Sequence, residues 1–357
     1  MTSNKQLAIG ALAAGAVAWL AWRLWRRTKS QEEEWVRVGE VSELFLHPMK
    51  SGRGVECEAV ECTKLGPRLG EINDRHFVMV SSDTDEMVTA RTAPRAVLIA
   101  VKVEEDVLRL SPIHKADQDQ YGSIDVDLGQ IRDTCGADER RVIMWRRLEA
   151  RGLDCGEAVA WWLTQFLFGG DRGKDGGGNP RVRLLYFQTG LYNERRANTD
   201  PKYFGVSEAI RNRDDALAYT ETSTYNIATQ PSLRHLNSKA SNGEERSFSM
   251  RNFRPNIVVD GESMAPYDED QWARVRIGPV ELTAVKWCGR CNLVSVDPEK
   301  GSLSKDNQPL KTLQGYRVIS GPLNATALPA PIFGSNLVLD TEGEIKVGDA
   351  VYVVYNS

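Results

Sequence analysis

The feature that most constrains this 357-residue chain is the shortness of its apolar runs. From Gly39 onward they are repeatedly broken by Gly, Pro, Asn and Asp. Runs of that kind suit strands bounded by turns better than buried helices. Residues 41–46, 77–80, 96–103 and 107–110 read as strands. A second β-rich section reads as strands at 181–187, 216–219, 257–259, 275–277, 280–287, 336–339 and 345–355. Helix signals are few. Asp154-Cys155-Gly156-Glu157 fits a capping box, Ala158, Trp162, Leu163 and Phe166 follow at helical spacing, and Gly169 and Gly170 end the run. Thr229 before Pro231 marks another start, with Leu233 and Leu236 on its buried side. No solenoid or propeller repeat is present. Many short strands with few helices predict a mainly β (α+β), barrel-like fold with appended helices.

The first thirty residues obey a different rule. Between Lys5 and Arg23 lie seventeen uncharged, nearly all apolar residues. As a helix they span about 25 Å at 1.5 Å per residue, short but workable for one transmembrane helix. Trp19, Trp22 and Trp25 sit at one end, where indole rings favour the headgroup region. Arg23, Arg26, Arg27 and Lys29 follow the core. A cleavable signal peptide carries its basic residues before the core, so this order predicts an uncleaved anchor with the C-terminal part in the cytosol. Residues 30–36 form a polar linker, and the Gly-rich stretch 170–180 is the best internal boundary.

Composition serves mainly to exclude. Forty-five basic against forty-nine acidic side chains give a net charge of -4, without the basic footprint that nucleic-acid binding needs. Six irregularly spaced cysteines do not form a small secreted disulfide framework and read as reduced thiols. The four histidines, 47, 76, 114 and 235, are too scattered to favour a His-based metal site.

Gly173-Lys174 echoes the end of a P-loop, but Phe168 and Asp175 occupy positions that need Gly and Ser or Thr, so a connector is the better reading. Cys288-Gly289-Arg290-Cys291 has no second pair with which to hold zinc. It follows a strand and precedes an extended run at 292–296, which suits one thiolate holding a soft metal, or an inert pair. Arg254-Pro255-Asn256 opens a strand, with Pro255 expected to keep Arg254 extended. Its arginine is a donor fork for phosphate, and Lys50-Ser51-Gly52 exposes a cation and a hydroxyl for an anion.

Together, Asn252 to Ile257, Cys291 with Val296-Asp297-Pro298, Lys50-Ser51 and Asp74-Arg75 resemble the MOSC-domain molybdenum proteins in order and spacing. With the N-terminal anchor, the chain resembles the branch known as mitochondrial amidoxime reducing components. The likeness runs from about Val41 to Val354. It implies an anchor and linker at 1–35, a MOSC N-terminal β-barrel-like domain at 36–180 and a MOSC domain at 181–357. It also implies a Mo-molybdopterin cofactor with Cys291 as metal ligand and catalytic thiolate, and Cys288 as a neighbour that does not ligate. Lys50, Ser51, Arg75, Thr222, Ser223, Arg254, Asn256, Gly289, Arg290 and Asn336 stand at cofactor-binding positions. Glu221, Gly289 and Asn336 depart from the family's usual Asp, Ser and aromatic residue. The Gly-rich 170–179 and Ser-rich 238–249 segments have no counterpart.

The implied activity is reduction of N-hydroxylated compounds (amidoximes, N-hydroxyguanidines, hydroxamic acids) to amidines or amines. Electrons would come from NADH through cytochrome b5 reductase and cytochrome b5. The implied location is the mitochondrial outer membrane facing the cytosol, or a peroxisomal membrane. Acidic cytochromes predict a basic docking surface, with Arg195-Arg196 and Arg181/Arg183 as candidates. A cofactor carrier or sulfur-transfer module, and a non-catalytic scaffold, are the rival readings.

Overall fold

The structure, a computed structural model, describes residues 34–133, 138–145, 148–169, 181–193, 213–220, 222–240, 247–318 and 330–356. The anchor, the Gly-rich stretch, Glu221 and Arg195-Arg196 lie outside these residues, as does the middle of the Ser-rich segment. Among the described residues no helix is long and apolar enough to cross a membrane.

The principal elements of the first half are β1 (Val36–Leu46), β2 (Val55–Cys57), β3 (Phe77–Ser81), β4 (Met87–Val88), β5 (Glu139–Met144), β6 (Leu148–Asp154), α1 (Glu157–Phe168) and β7 (Val182–Tyr186). Those of the second half are β8 (Tyr225–Thr229), α2 (Gln230–Ala240), α3 (Met250–Phe253), β9 (Ile257–Asp260), β10 (Trp272–Ile277), β11 (Val280–Gly289), β12 (Ile332–Thr341) and β13 (Ala350–Tyr355). The large sheet runs β9-β8-β12-β11-β10-β13-β1-β2, and β1 also pairs with β9, which closes it into a barrel. Only a closed sheet removes the exposed strand edge.

The barrel interior follows from period two. Tyr225 and Ile227, Ile257 and Val259, Val275 and Ile277, Val280 and Leu282, Leu337 and Leu339, and Val351 and Val353 all enter one core. Strands β8 and β9 run parallel, so a crossover is needed, and it carries α2 and α3. Phe253, Leu233 and Leu236 on that crossover pack on the outer barrel face against Phe45, Val258 and Phe333.

The second sheet is ordered β5-β6-β7-β3-β4, and β3 is covered on both faces. Phe77 and Met79 join one core, while Val78 and Val80 join another. Val159, Trp162, Leu163, Phe166 and Leu167 of α1 form the stripe that lies against the first of these. Trp162 Nε1 donates to Tyr121 O at 2.9 Å. Just past the Gly-rich boundary, β7 pairs with β6 and β3, whereas β1 at the start of the chain belongs to the large barrel.

Several expectations are corrected. Gly156 occupies the N-cap of α1 without a side-chain cap, and Asp154 instead ends β6. Its carboxylate is taken by the buried Arg183 and by Arg140, and it accepts from Gly156 N at 2.9 Å. Arg183 also pairs with Glu157, and so does Arg181. Arg183 is therefore an interior ion-pair partner and not a docking cation. Residues 94–98 form a 3-10 turn ahead of a strand at Ile99–Glu104, because Pro94 suits a helical first turn. Residues 216–219 make an isolated bridge and bends. The run at 345–355 is two strands, Gly343–Lys346 and β13, separated by a turn containing Gly348 at φ 90°. Short helices at Lys115–Tyr121, Leu128–Asp133 and Leu310–Gln314 carried no sequence signal strong enough to register.

Glu269 anchors α2 from below. It is fully buried, and Oε2 accepts from Thr229 Oγ1 and Ser232 Oγ at 2.9 Å each. Burial, with Asp270 beside it, pushes its carboxyl up to about 7. A raised carboxyl stabilises the fold fully below the unfolded value and loses that contribution as pH rises from about 4.5 to about 7. Glu269→Gln should flatten this part of the stability-versus-pH curve, measured by urea unfolding. Asp154→Ala should cost about 3 kcal/mol because it takes the buried partner from Arg183 and leaves it only the more exposed Glu157; loss of a mere helix cap would cost about 1 kcal/mol. Chemical denaturation separates the two.

Candidate functional site

The site begins where β1 ends. Arg75 N donates to His47 O at 2.7 Å, Lys50 N to Phe77 O at 2.8 Å and Phe77 N to Pro48 O at 3.0 Å. These bonds fold the segment after β1 back onto the start of β3. The carboxylate of Asp74, with no exposed surface, accepts from His47 N at 2.7 Å and Asn256 Nδ2 at 2.9 Å through Oδ1, and from Arg75 through Oδ2. Arg75 Nη2 donates onward to Arg254 O at 3.1 Å.

Three residues here have left-handed backbones without being glycine: Ser51 at φ 71°, Arg75 at φ 52° and Arg254 at φ 58°. Such conformations are uncommon and gather at functional sites. Arg254 is thus not extended, as its neighbour Pro255 led us to expect. It is the C-cap of α3, with its N–H donating to Met250 O at 2.8 Å, and helix termination overrides the pre-proline preference. Asn252, in the same turn, donates to Val294 O at 3.1 Å. That bond ties α3 to the segment that follows Cys291.

Cys288 lies near the end of β11 and is half-buried; Cys291 is exposed. Residues 292–295 form a 3-10 turn with Cys291 at its N-cap, in place of the expected extended run. Arg290 holds the intervening loop: its guanidinium donates to Phe333 O, Phe253 O and Asn226 Oδ1. Gly334 lets β12 pass there, since a Cβ would meet Ile227 O at 2.5 Å. Cys62, by contrast, is buried and its thiol is pushed up to about 12, and burial likewise raises Cys57 and Cys155. Thiols of that kind are inert.

A cavity of about 290 Å³ opens among these segments. All of the sequence-named residues line it: Lys50, Ser51, Arg75, Thr222, Ser223, Arg254, Asn256, Gly289, Arg290, Cys291 and Asn336. Several were missed. Thr89, Arg91, Thr220, Asn226, Lys286 and Trp287 line it too. Asn226 is a hub: its N–H donates to Asn256 Oδ1 at 3.1 Å, and Nδ2 to Ser335 O at 3.0 Å and Asn336 Oδ1 at 3.3 Å. A polar residue in the middle of the buried strand Tyr225–Thr229 was its only sequence signal.

The charge of the cavity is one-sided. Lys50, Arg75, Arg91, Arg254, Lys286 and Arg290 line it, and among the described residues no Asp or Glu does. Arg254 is buried. Burial first, and then Arg75, brings its guanidinium down to about 9, against the pull of Asp74. Nη1 donates to Gly52 O, while Nη2 is buried without a partner among the described residues. The buried Thr220 Oγ1 is likewise unmatched among them. Donors left open in a cationic cavity fit a phosphate-bearing anion. No group of three His, Cys, Asp or Glu side chains comes together among the described residues.

The fold and site together define a β-barrel protein with a second sheet and a cationic pocket suited to an anion beside an exposed thiol. A family model for the MOSC N-terminal beta barrel domain matches residues 38–169, and one for the MOSC domain matches 214–352. Mitochondrial amidoxime-reducing component 1 of Homo sapiens is 36% identical over 348 residues, covering 98% of this chain and 91% of the relative. The Mus musculus protein of the same name is 34% identical over 98% of this chain and 90% of its own length. Mitochondrial amidoxime reducing component 2 of Homo sapiens is 33% identical over 97% and 91%. The chain belongs to the amidoxime-reducing component family of MOSC-domain proteins.

Arg254→Met should lower anion retention sharply while shifting the melting temperature of the ligand-free protein by only a few degrees, because a desolvated cation leaves with the lost hydrogen bond. Phosphate or pterin titration by calorimetry, beside a thermal melt, checks this.

Proposed function

We propose that the chain is a molybdenum-cofactor-dependent reductase of N-hydroxylated compounds: amidoximes, N-hydroxyguanidines and hydroxamic acids. In this reading electrons arrive from NADH through cytochrome b5 reductase and cytochrome b5. The protein works at the mitochondrial outer membrane with its catalytic part toward the cytosol. The observation that carries the proposal is an exposed cysteine on a cavity lined by six cations and, among the described residues, no carboxylate, in a chain whose net charge is -4. The names of the similar proteins support the substrate class and the organelle.

The two-electron chemistry belongs to the molybdopterin when it is bound. Cys291 gives one thiolate to the metal, and Lys50, Arg75 and Arg254 neutralise the pterin phosphate through charge-assisted hydrogen bonds. Ser51, Thr222, Ser223 and Asn256 supply neutral donors and acceptors from both halves of the chain. Arg290 acts by fixing the cysteine loop, because its donors are engaged by Phe333, Phe253 and Asn226. Phe253, Leu293 and Ile332 form an apolar wall that limits water. Gly289 lacks the hydroxyl expected beside the metal, and a Cβ there would meet Ala330 Cβ at 3.4 Å, so a serine fits.

Metal analysis of the full chain, with benzamidoxime turnover in a reconstituted cytochrome chain, tests the proposal. A carrier would hold molybdenum without turnover, and a scaffold would hold none. Cys291→Ser should abolish turnover with the pterin largely kept. Cys288→Ser should retain most of the rate; equal loss in the two variants would favour a dithiol mechanism.

A further inference from the structure

His47 is a buried, titratable side chain with no part in the proposed reduction. Its backbone is bound into the site, with N donating to Asp74 Oδ1 and O accepting from Arg75 N, each at 2.7 Å. The ring reaches further, and Nε2 lies 3.0 Å from Pro255 O. A carbonyl only accepts, so Nε2 carries the proton and donates. Burial first, and then the charges of Arg254 and Arg75, hold His47 well below its ordinary value. The ring is therefore neutral and adds no further cation beside them.

Pro255 follows Arg254, whose left-handed backbone at φ 58° sets the direction in which its guanidinium leaves the chain. That turn is pinned from both sides. Arg254 N donates to Met250 O at 2.8 Å, and Arg254 O accepts from Arg75 Nη2 at 3.1 Å. Proline has no N–H, so the backbone of Pro255 is held through its carbonyl alone, and His47 takes that carbonyl. His47, Gly54 and Arg254 line one small cavity of about 20 Å³, and Arg254 also lines the large one. Gly54 leaves room for the ring, since a Cβ there would meet His47 Cε1 at 2.5 Å and Nδ1 at 2.6 Å.

We infer that His47 is a positioning residue of the anion site: its Nε2–H bond to Pro255 O fixes the turn from which Arg254 meets an anion. The inference rests on the large cavity being an anion site, and it adds to that site a side chain that does not line it. The donor matters here, more than the bulk of the ring. Leucine fills much of the same space without a donor, and asparagine carries an amide too short to reach Pro255 O. Glutamine places an N–H where the imidazole has one.

Inorganic phosphate is titrated by calorimetry into the full-length chain prepared without cofactor, with a thermal melt of each variant alongside. H47L and H47N should weaken phosphate binding about tenfold, the upper end of one hydrogen bond's net worth. H47Q should stay within about twofold of the unaltered chain, because its donor is kept. G54A, which displaces the ring while leaving His47 in the sequence, should weaken binding as H47N does. If H47L does not fold, the polar pair H47N and H47Q decides. A purely structural histidine would lower the melting temperature in these variants and leave the affinity of the folded protein unchanged, and that result overturns the inference. So does H47Q binding as weakly as H47N. Absence of phosphate binding by the unaltered chain overturns the anion site itself, and this inference with it.

Discussion

The arrangement depends on one buried carboxylate. Asp74 receives the backbone of His47 as β1 ends, the side-chain amide of Asn256 as β9 begins, and the guanidinium of Arg75. Those partners come from both halves of the sequence. Replacing water around a carboxylate costs several kcal/mol unless its oxygens are satisfied, and here both oxygens are engaged. With Asp74 in place, Arg75 is aimed at the carbonyl of Arg254, and two cations that would otherwise repel are held on one side of one cavity.

The cavity is consequently held in shape by the protein's own hydrogen bonds. Ser51, Arg75 and Arg254 each occupy a left-handed backbone that costs a side-chain-bearing residue about 1–2 kcal/mol. The surrounding hydrogen bonds enforce those conformations, and Arg254 gives up hydration as well. Such expense is repaid when an anion arrives, since the donors are already oriented and no side chain needs to be ordered. The cysteine loop is fixed in the same manner, by Arg290 reaching across to β12, α3 and β8.

Much of this was legible in the sequence, for definable reasons. Short apolar runs between turn residues located about half of the strands, but not those at Glu139–Met144, Leu148–Asp154 or Tyr225–Thr229, and the stripe at Trp162, Leu163 and Phe166 located α1. Motif order located the site residues, and the structure gathers them around one cavity. What escaped was whatever depends on distant partners. Asp154 looked like a cap because Glu157 follows it at the right spacing, but Arg183 from another strand competes for both acids. Arg183 in turn looked like surface charge, since a sequence does not display ion pairing across strands. Arg254 defied the proline rule because α3 needs a left-handed terminus there. Asn226, Arg91 and Lys286 belong to no recognisable string; the barrel brings the first and last together, and the loop after β4 of the other sheet brings Arg91 to the same cavity.

Strand β1 has an implication for the integrity of the whole. It is the first described strand in the sequence, yet its register partners are Cys57 to Val55 of β2 on one stretch and Ile257 to Asp260 of β9 on another. Leu44 packs inside the large barrel, while two residues later Leu46 packs in the core with Phe77 and α1. During synthesis this strand therefore lacks its β9 and β13 partners until the last third of the chain emerges, and a fragment made from the second half alone would expose β9 and β13 as raw edges. Separate production of the two halves is thus ill-suited to this architecture, and any natural truncation that removes the opening strand would unmake the C-terminal barrel from the far end of the gene.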